Sequence, residues 1–153
     1  MRTLTITGTL FFGLLCASTS SAATNCPWLA QGSAAAALGG PVTASVQVSD
    51  SGEGACTFTR DGAGNNLKIV VQRTPQKSCP AESTKVKGIG NEAVFCKVQE
   101  SPNELIEMVV SRVRELHFTV SLAVHRSASH TSETSGAEDA VKQVAEQVAG
   151  NLF

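Results

Sequence analysis

The sequence predicts an α+β domain built on a mainly antiparallel sheet of about six strands, and three observations support this class. Residues 116–124 alternate between apolar and polar side chains, which is typical of a strand with one face on a core. Residues 136–149 place alanine and valine at helical spacing. Strand-like segments recur at an offset of fifty residues, so that 68–70 matches 118–120. We therefore expect two pseudo-repeated halves, with short N-terminal helices and a C-terminal helix packed on one face.

The N-terminus has the pattern of an export signal. A positive start precedes the apolar residues 10–17, and small residues lead to a cleavage position after Ala22 or Ala23. The apolar stretch is too short to span a bilayer, and an uncleaved anchor or a buried helix are the alternatives. The sequence predicts a signal peptide at 1–22 and a single exported domain at 23–153, periplasmic or extracellular.

Four cysteines follow the leader: Cys26, Cys56, Cys79 and Cys96. An even count in an oxidising compartment predicts two disulfides. Three pairings are possible, and we favour Cys26–Cys56 and Cys79–Cys96 because each closes a local segment in one half of the domain. A metal site is the alternative, but the sequence has no Cys-x-x-Cys and no histidine within five residues of a cysteine.

Charge and hydropathy exclude several classes of partner. Twelve basic and thirteen acidic residues give a formal net charge of −1, and both signs are scattered along the chain. This balance predicts neither a nucleic acid nor an anionic membrane as partner. After the leader, no apolar segment reaches transmembrane length.

The first half reads as helices followed by three strands. Pro27 suits the first turn of a short helix near Cys26, and Ser33 is positioned to cap a second short helix over 34–38. The Gly-Gly-Pro sequence at 39–41 ends that helix. Strands are predicted at 43–48, 55–60 and 67–72. The turns between them, at 50–54 and 61–65, are rich in glycine, aspartate and serine or asparagine.

The second half begins after a polar connection at 74–87. A glycine turn at 88–92 leads into a strand at 93–98. Residues 105–113 fit two interpretations. A proline-containing capping box at 101–104 and apolar residues at helical spacing favour a helix. The same segment also alternates and is rich in β-branched residues, so we expect a strand that turns directly into the next one.

The C-terminal helix is predicted over 136–149, after a capping box at 135–138. Its apolar stripe consists of Ala137, Val141, Val144, Val148 and Leu152. The Ser/Thr/His-rich residues 125–134 before it predict a mobile loop.

Histidines supply the candidate binding residues. His125, His130 and Glu133 could lie together in one loop, whereas His117 lies on the outward face of a strand. Their spacing fits neither a metal-binding helix nor a zinc finger, and solvated histidines are the alternative. The sequence has neither a Gly-x-Ser-x-Gly nucleophile motif nor a phosphate loop. It therefore indicates no catalytic residue, metal or cofactor.

The order of these elements resembles that of small exported bacterial domains. The pattern comprises a short helix at Cys26, an alanine-rich helix ending at 38–42, a strand with Cys56, the glycine turn at 88–93 and an Ala/Val C-terminal helix. It is similar to the actinobacterial lipoprotein family called domain of unknown function 3558. The resemblance implies no activity and no functional residues. This sequence differs in its second cysteine pair and in the leucines before Cys16, which disfavour lipidation.

Together these features favour a non-enzymatic exported domain that binds a protein or a small ligand at the cell envelope or outside the cell. An inhibitor of a secreted hydrolase is one alternative, because small disulfide-braced domains include such inhibitors. A small hydrolase that uses the loop histidines is the other.

Overall fold

The computed structural model describes residues 25–62, 64–75, 79–80, 82–125 and 134–153. In chain order its elements are α1 (Gln31–Leu38), β1 (Val42–Val48), β2 (Gly54–Arg60), β3 (Asn66–Gln72), β4 (Thr84–Val86), β5 (Glu92–Ser101), β6 (Glu104–Val113), β7 (Leu116–His125) and α2 (Thr134–Leu152). The signal peptide predicted at 1–22 and most of the loop predicted at 125–134 lie outside the described residues.

All the strands form one antiparallel sheet in the order β1-β2-β3-β7-β6-β5-β4. The central pair is β3 with β7, where Ile69 stands opposite Val120. β1, β2 and β3 begin at residues 42, 54 and 66, and β5, β6 and β7 begin fifty residues later in each case. The match to the predicted halves is rough, because β5, β6 and β7 have ten residues instead of seven.

The sheet has seven strands rather than the expected six because β4 adds a three-residue edge strand. β4 pairs only with β5, from Thr84 opposite Phe95 to Val86 opposite Ala93. Three residues are too few to show an alternating pattern in the sequence, so the polar connection at 74–87 concealed this strand.

The ambiguous segment at 105–113 is a strand, as expected. Buried and half-buried side chains alternate along β6. Ser101 pairs with Glu104, so Pro102 and Asn103 form a hairpin turn rather than the first turn of a helix. Pairing with strands on both sides gives every second side chain of β6 a contact with the core, and this outweighs the local helix signal.

The predicted cap of α1 is wrong. The carbonyl of Ala30 accepts the N–H groups of Ser33 and Ala34, so Ser33 lies inside the helix, and no side chain caps it. The predicted C-terminal end is confirmed. Gly39 has a φ of 72°, and the N–H groups of Gly39 and Gly40 bond to carbonyls of the last turn. Glycine adopts this left-handed conformation without the steric cost of a Cβ.

The other predicted N-terminal helix, near Cys26, is absent from the described residues. The chain bends instead between residues 25 and 30. Cys26 is bonded to Cys56 on β2, and Trp28 and Leu29 are buried in the core. These tertiary contacts hold the segment and override its weak local preference for a helix.

The C-terminal helix is longer than predicted, and Ser135 lies in its first turn rather than before it. The predicted stripe is confirmed, with Leu152 half-buried at its end and four members fully packed: Ala137, Val141, Val144 and Val148. α2 contacts β6 and β7, α1 contacts β1, β2 and β3, and the helices contact each other. Both therefore cover one face of the sheet, and we call the opposite face the outer face. Within the described ranges, no helix has the length and apolar character needed to cross a membrane.

Candidate functional site

Both predicted disulfides are present. Cys26 is bonded to Cys56 and Cys79 to Cys96, with Cα–Cα distances of 5.9 and 5.8 Å. The first joins the segment before α1 to β2, and the second joins the β3–β4 connection to β5. All four sulfurs are thereby removed as nucleophiles or metal ligands. The described residues contain no group of three or more histidines, cysteines or acids that could hold a metal ion.

Two of the four candidate binding residues are described, and the structure separates them. His117 and His125 lie at opposite ends of β7 and project to the outer face. Eight residues of strand place them roughly 27 Å apart. His130 and Glu133 lie outside the described residues. A site that joins His117 to His125 is therefore excluded.

His125 has its own local surroundings. Its Nε2 lies 3.8 Å from Oε1 of Glu104, and its backbone N–H donates to the side chain of Asn65. The ring is about half exposed. A Cβ added to Gly64 would lie 3.4 Å from this ring, so the turn before β3 packs closely against it. These contacts fix the end of β7.

The outer face has different chemistry in its two halves. In β1, β2 and β3 its side chains are mainly polar: Thr43, Ser45, Gln47, Thr57, Thr59, Lys68 and Gln72. In β5 and β6 five apolar side chains share this face, and we call them the outer strip: Val94, Val98, Ile106, Met108 and Val110. Every member of the strip is half-buried. An apolar patch confined to one part of a surface is a common mark of a binding site.

Three neighbouring rows of side chains cross this part of the outer face. They are Cys96–Met108–Ser121, Val94–Val110–Thr119 and Glu92–Arg112–His117, which we call the disulfide row, the apolar row and the charged row. Residues opposite each other in an antiparallel sheet share a face, so each row is continuous across the strands. The apolar row thus lies between a disulfide and a line of charged groups.

A pocket of about 460 Å³ opens over the apolar and charged rows, and we call it the outer pocket. Its lining includes the side chains Lys85, Lys87, Glu92, Val94, Val110, Arg112 and His117. Lys85 pairs with Val94, so its cation continues the apolar row at the edge of the sheet. This volume lies in the usual range for small-molecule sites.

The outer pocket carries an excess of positive charge. Arg112 Nη2 lies 3.1 Å from Oε1 of Glu92, so this pair neutralises itself. Lys85 and Lys87 are both exposed, and neither forms an ion pair with any residue that the structure describes. Two unpaired ammonium groups beside apolar side chains would attract a negatively charged group that carries an apolar portion.

The glycine turn at 88–91 leads into the pocket-lining residues of β5 and is tightly held; of its own residues, Asn91 lines the pocket. The N–H of Asn91 donates to the carbonyl of Arg112, and its side-chain oxygen accepts the N–H of Arg114. Ser111 Oγ donates to the carbonyl of Ile89, which is buried. The turn is therefore anchored to the β6–β7 hairpin.

Gly90 is the residue that permits this close approach. Its φ is 61°, and a Cβ there would lie 2.5 Å from the carbonyl oxygen of Arg112. Gly90 thus lets the turn lie close against the β6–β7 hairpin. Sequence reasoning missed Lys85, Lys87 and Arg112, and the available signal was the pair of lysines immediately before this glycine turn.

A second charged arrangement lies on the helix-covered face. Glu107 on β6 has no exposed surface, and Lys97 Nζ lies 3.0 Å from its Oε1. Apart from this ion pair, neither oxygen of Glu107 has a partner among the described residues. Lys97 also lies 3.0 Å from Oε2 of Glu138 on α2, which pairs with Lys142 at 2.7 Å. We call these four residues the buried charge cluster.

The charged forms of this cluster support one another. Hydrogen bonds from Lys142 and Lys97 hold the pKa of Glu138 below its usual 4.5. Burial acts to lower the pKa of Lys97, but the carboxylates of Glu138 and Glu107 outweigh it and raise this pKa above 10.5. Both lysines also stand over the ring of Phe95, at 5.5 and 5.0 Å. Since these charges pair internally, the cluster attaches α2 to β5 and β6.

A pocket of about 570 Å³ lies beside the buried charge cluster, and its lining includes Glu82, Lys97 and Glu138. Two of these three charged groups already pair with each other. The outer pocket is the better candidate because its lysines are unpaired within the described part of the chain and stand next to apolar side chains. No protein-family model matches this chain, and neither the curated proteins nor the solved structures contain a match.

Proposed function

We propose that this protein is an exported, disulfide-stabilised domain that binds a ligand or partner on its outer strip and has no catalytic activity of its own. The predicted leader and the two disulfides support export, because disulfides persist in oxidising compartments. The proposal also includes the resemblance to the family called domain of unknown function 3558.

The contrast between the two halves of the outer face carries this proposal. Both halves supply three main strands to the same sheet, and both face the helices with buried apolar side chains. Folding alone therefore requires no difference on the outer face. Five apolar side chains nevertheless occupy β5 and β6 on that face, where β1 to β3 carry mainly threonine, serine, glutamine and lysine. A ligand that covers the strip would explain this difference.

Binding rather than catalysis is supported by the separation of the titrating groups. His117 stands in the outer pocket beside the Arg112–Glu92 pair, without a second histidine, and His125 lies at the far end of β7. The four cysteines that the structure describes are engaged in disulfides. Hydrolases commonly place an acid and a base within reach of one reacting atom, and the two described histidines do not form such a pair.

A neutral apolar dye tests the proposal. Nile red should become fluorescent with the folded mature protein, and Val110→Lys should lower its affinity at least about tenfold by introducing a charge into the strip. Thr57→Lys places the same charge on the polar half of the outer face and should leave dye binding unchanged. Thermal unfolding establishes that both variants are folded. Absence of dye binding, or equal loss in both variants, would contradict the proposed surface.

A further inference from the structure

We infer that the outer pocket takes a small amphipathic anion, with its apolar chain on Val94 and Val110 and its acidic headgroup held by Lys85 and Lys87. This inference rests on the proposed function, because it assigns a class of ligand to part of the outer strip.

The side-chain rows of the sheet determine how the ligand is oriented in the pocket. The apolar row begins at the sheet edge with Lys85 and continues through Val94 and Val110. The adjacent charged row places Arg112 beside Val110 on the same face. Neighbouring strands lie about 4.8 Å apart, so Lys85 and Val110 are separated by roughly 10 Å across the sheet. A headgroup at the lysines can therefore leave a chain of several carbons along the apolar row.

The charges select the sign of the headgroup. Lys85 and Lys87 have no ion-pair partner among the described residues, whereas Arg112 is already paired with the carboxylate of Glu92. The two uncompensated ammonium groups would repel a cationic ligand, and a neutral ligand would leave their charge uncompensated. An acidic headgroup gains charge-assisted hydrogen bonds from both lysines.

The anchored turn beside the pocket favours a defined ligand. Asn91 and Ser111 anchor the glycine turn through hydrogen bonds to the β6–β7 hairpin and from Ser111 to Ile89. Such a pocket loses little conformational freedom on binding, which increases affinity for a ligand of matching shape. The net charge of the whole chain is −1, so the positive charge is local to this site rather than a general property of the surface.

Calorimetry with decyl phosphate as the probe, below its micelle concentration, tests the inference. The mature protein should bind it, whereas inorganic phosphate and decanol each lack half of the required chemistry and should bind at least about tenfold more weakly. The double variant Lys85→Ala/Lys87→Ala should lose affinity for decyl phosphate by roughly tenfold. Lys68→Ala removes an exposed lysine from the polar half of the same face and should leave the affinity unchanged.

Each contrary result has a distinct meaning. Equal binding of decanol or decyltrimethylammonium would overturn the acidic headgroup while the proposed function stands, and equal binding of inorganic phosphate would overturn the apolar chain. Binding to vesicles of anionic lipid without binding of monomeric decyl phosphate would replace a pocket ligand with a membrane surface and overturn the inference. If neither decyl phosphate nor Nile red binds, the proposed function and the inference about its ligand both fail.

Discussion

Lys97 Nζ lies 3.0 Å from Oε1 of Glu107 and supplies the nearest positive charge to a carboxylate that the core encloses completely. Glutamate is almost never fully buried unless it is paired. The same ammonium reaches Glu138 on α2, so one lysine joins the sheet to the C-terminal helix. A half-exposed side chain on β5 therefore pairs with carboxylates in both layers of the fold.

Loss of this lysine should destabilise the fold. Breaking a buried ion pair costs about 3–5 kcal/mol, and the 41% exposure of the Lys97 side chain reduces the expected cost of Lys97→Met to about 2 kcal/mol. The double variant Lys97→Met/Glu107→Leu removes both charges and should recover most of that loss. Urea unfolding of the two variants measures both values. Equal stability of Lys97→Met and the wild type would show that Glu107 does not depend on this partner.

The pH dependence of stability should reflect Glu138. Its pKa is lowered in the folded state, so its contribution is present above its unfolded value of 4.5 and is lost as the pH falls through the lower folded value. We expect the difference in free energy of unfolding between wild type and Glu138→Gln to be constant near neutral pH and to shrink below about pH 4.5. Urea titrations across this range measure it, and a difference that does not change with pH would contradict the depressed pKa.

The stability contributed by Lys97 should have the opposite pH dependence, because it is lost at alkaline pH. Its pKa is raised in the folded state, so its contribution is present below its unfolded value of 10.5 and is lost as the pH rises through the higher folded value. Wild type should therefore lose its stability advantage over Lys97→Met above about pH 10.5. Unfolding curves at alkaline pH for the two proteins provide the check. An advantage that persists unchanged well above that pH would argue against the raised pKa.

Gly90 and Gly88 form a matched pair for testing the glycine turn. Both have positive φ, but a Cβ at Gly90 would meet the carbonyl of Arg112 at 2.5 Å, whereas one at Gly88 would meet nothing within 4 Å. Gly88→Ala should cost only the left-handed strain, about 1 kcal/mol, and Gly90→Ala at least about 3 kcal/mol. Chemical denaturation of both variants compares them. Similar losses would mean that close packing at Gly90 is unimportant.

The two disulfides should each contribute about 3 kcal/mol, with the first slightly more effective because it closes the longer loop. The sequence separations are 30 residues for Cys26–Cys56 and 17 for Cys79–Cys96. Replacing each pair by alanine and measuring the free energy of unfolding tests this order. A larger loss from the Cys79–Cys96 pair would show that native contacts, rather than loop length, determine the effect.

Local patterns in the sequence predicted the parts of the fold that depend on local order. The alternation at 116–124 corresponds to β7, and the helical stripe corresponds to the buried side of α2. The disulfide pairing was predicted correctly because each bridge lies within one half of the chain. The helix expected near Cys26 failed because its local signal competes with a disulfide and with the burial of Trp28.

Most of the candidate site could not be predicted from the sequence. Lys85, Arg112 and His117 come from three different strands, and only the pairing register of the sheet brings them to one pocket. Register is set by the whole sheet rather than by a local pattern. For the same reason, the pairing of Lys97 with Glu107 across β5 and β6 could not be anticipated, although His117 was already singled out as an outward-facing residue.

Methyl-group NMR of the mature protein during titration with decyl phosphate tests the central claim most directly. Val109 and Val110 are adjacent in β6, but Val109 is buried beneath the helices and Val110 belongs to the outer strip. We predict that the methyl signals of Val94 and Val110 shift with a common saturation curve while those of Val109 and Val120 stay in place. Shifts confined to other parts of the molecule, or none at saturating ligand, would contradict the assignment of the outer face as the binding surface.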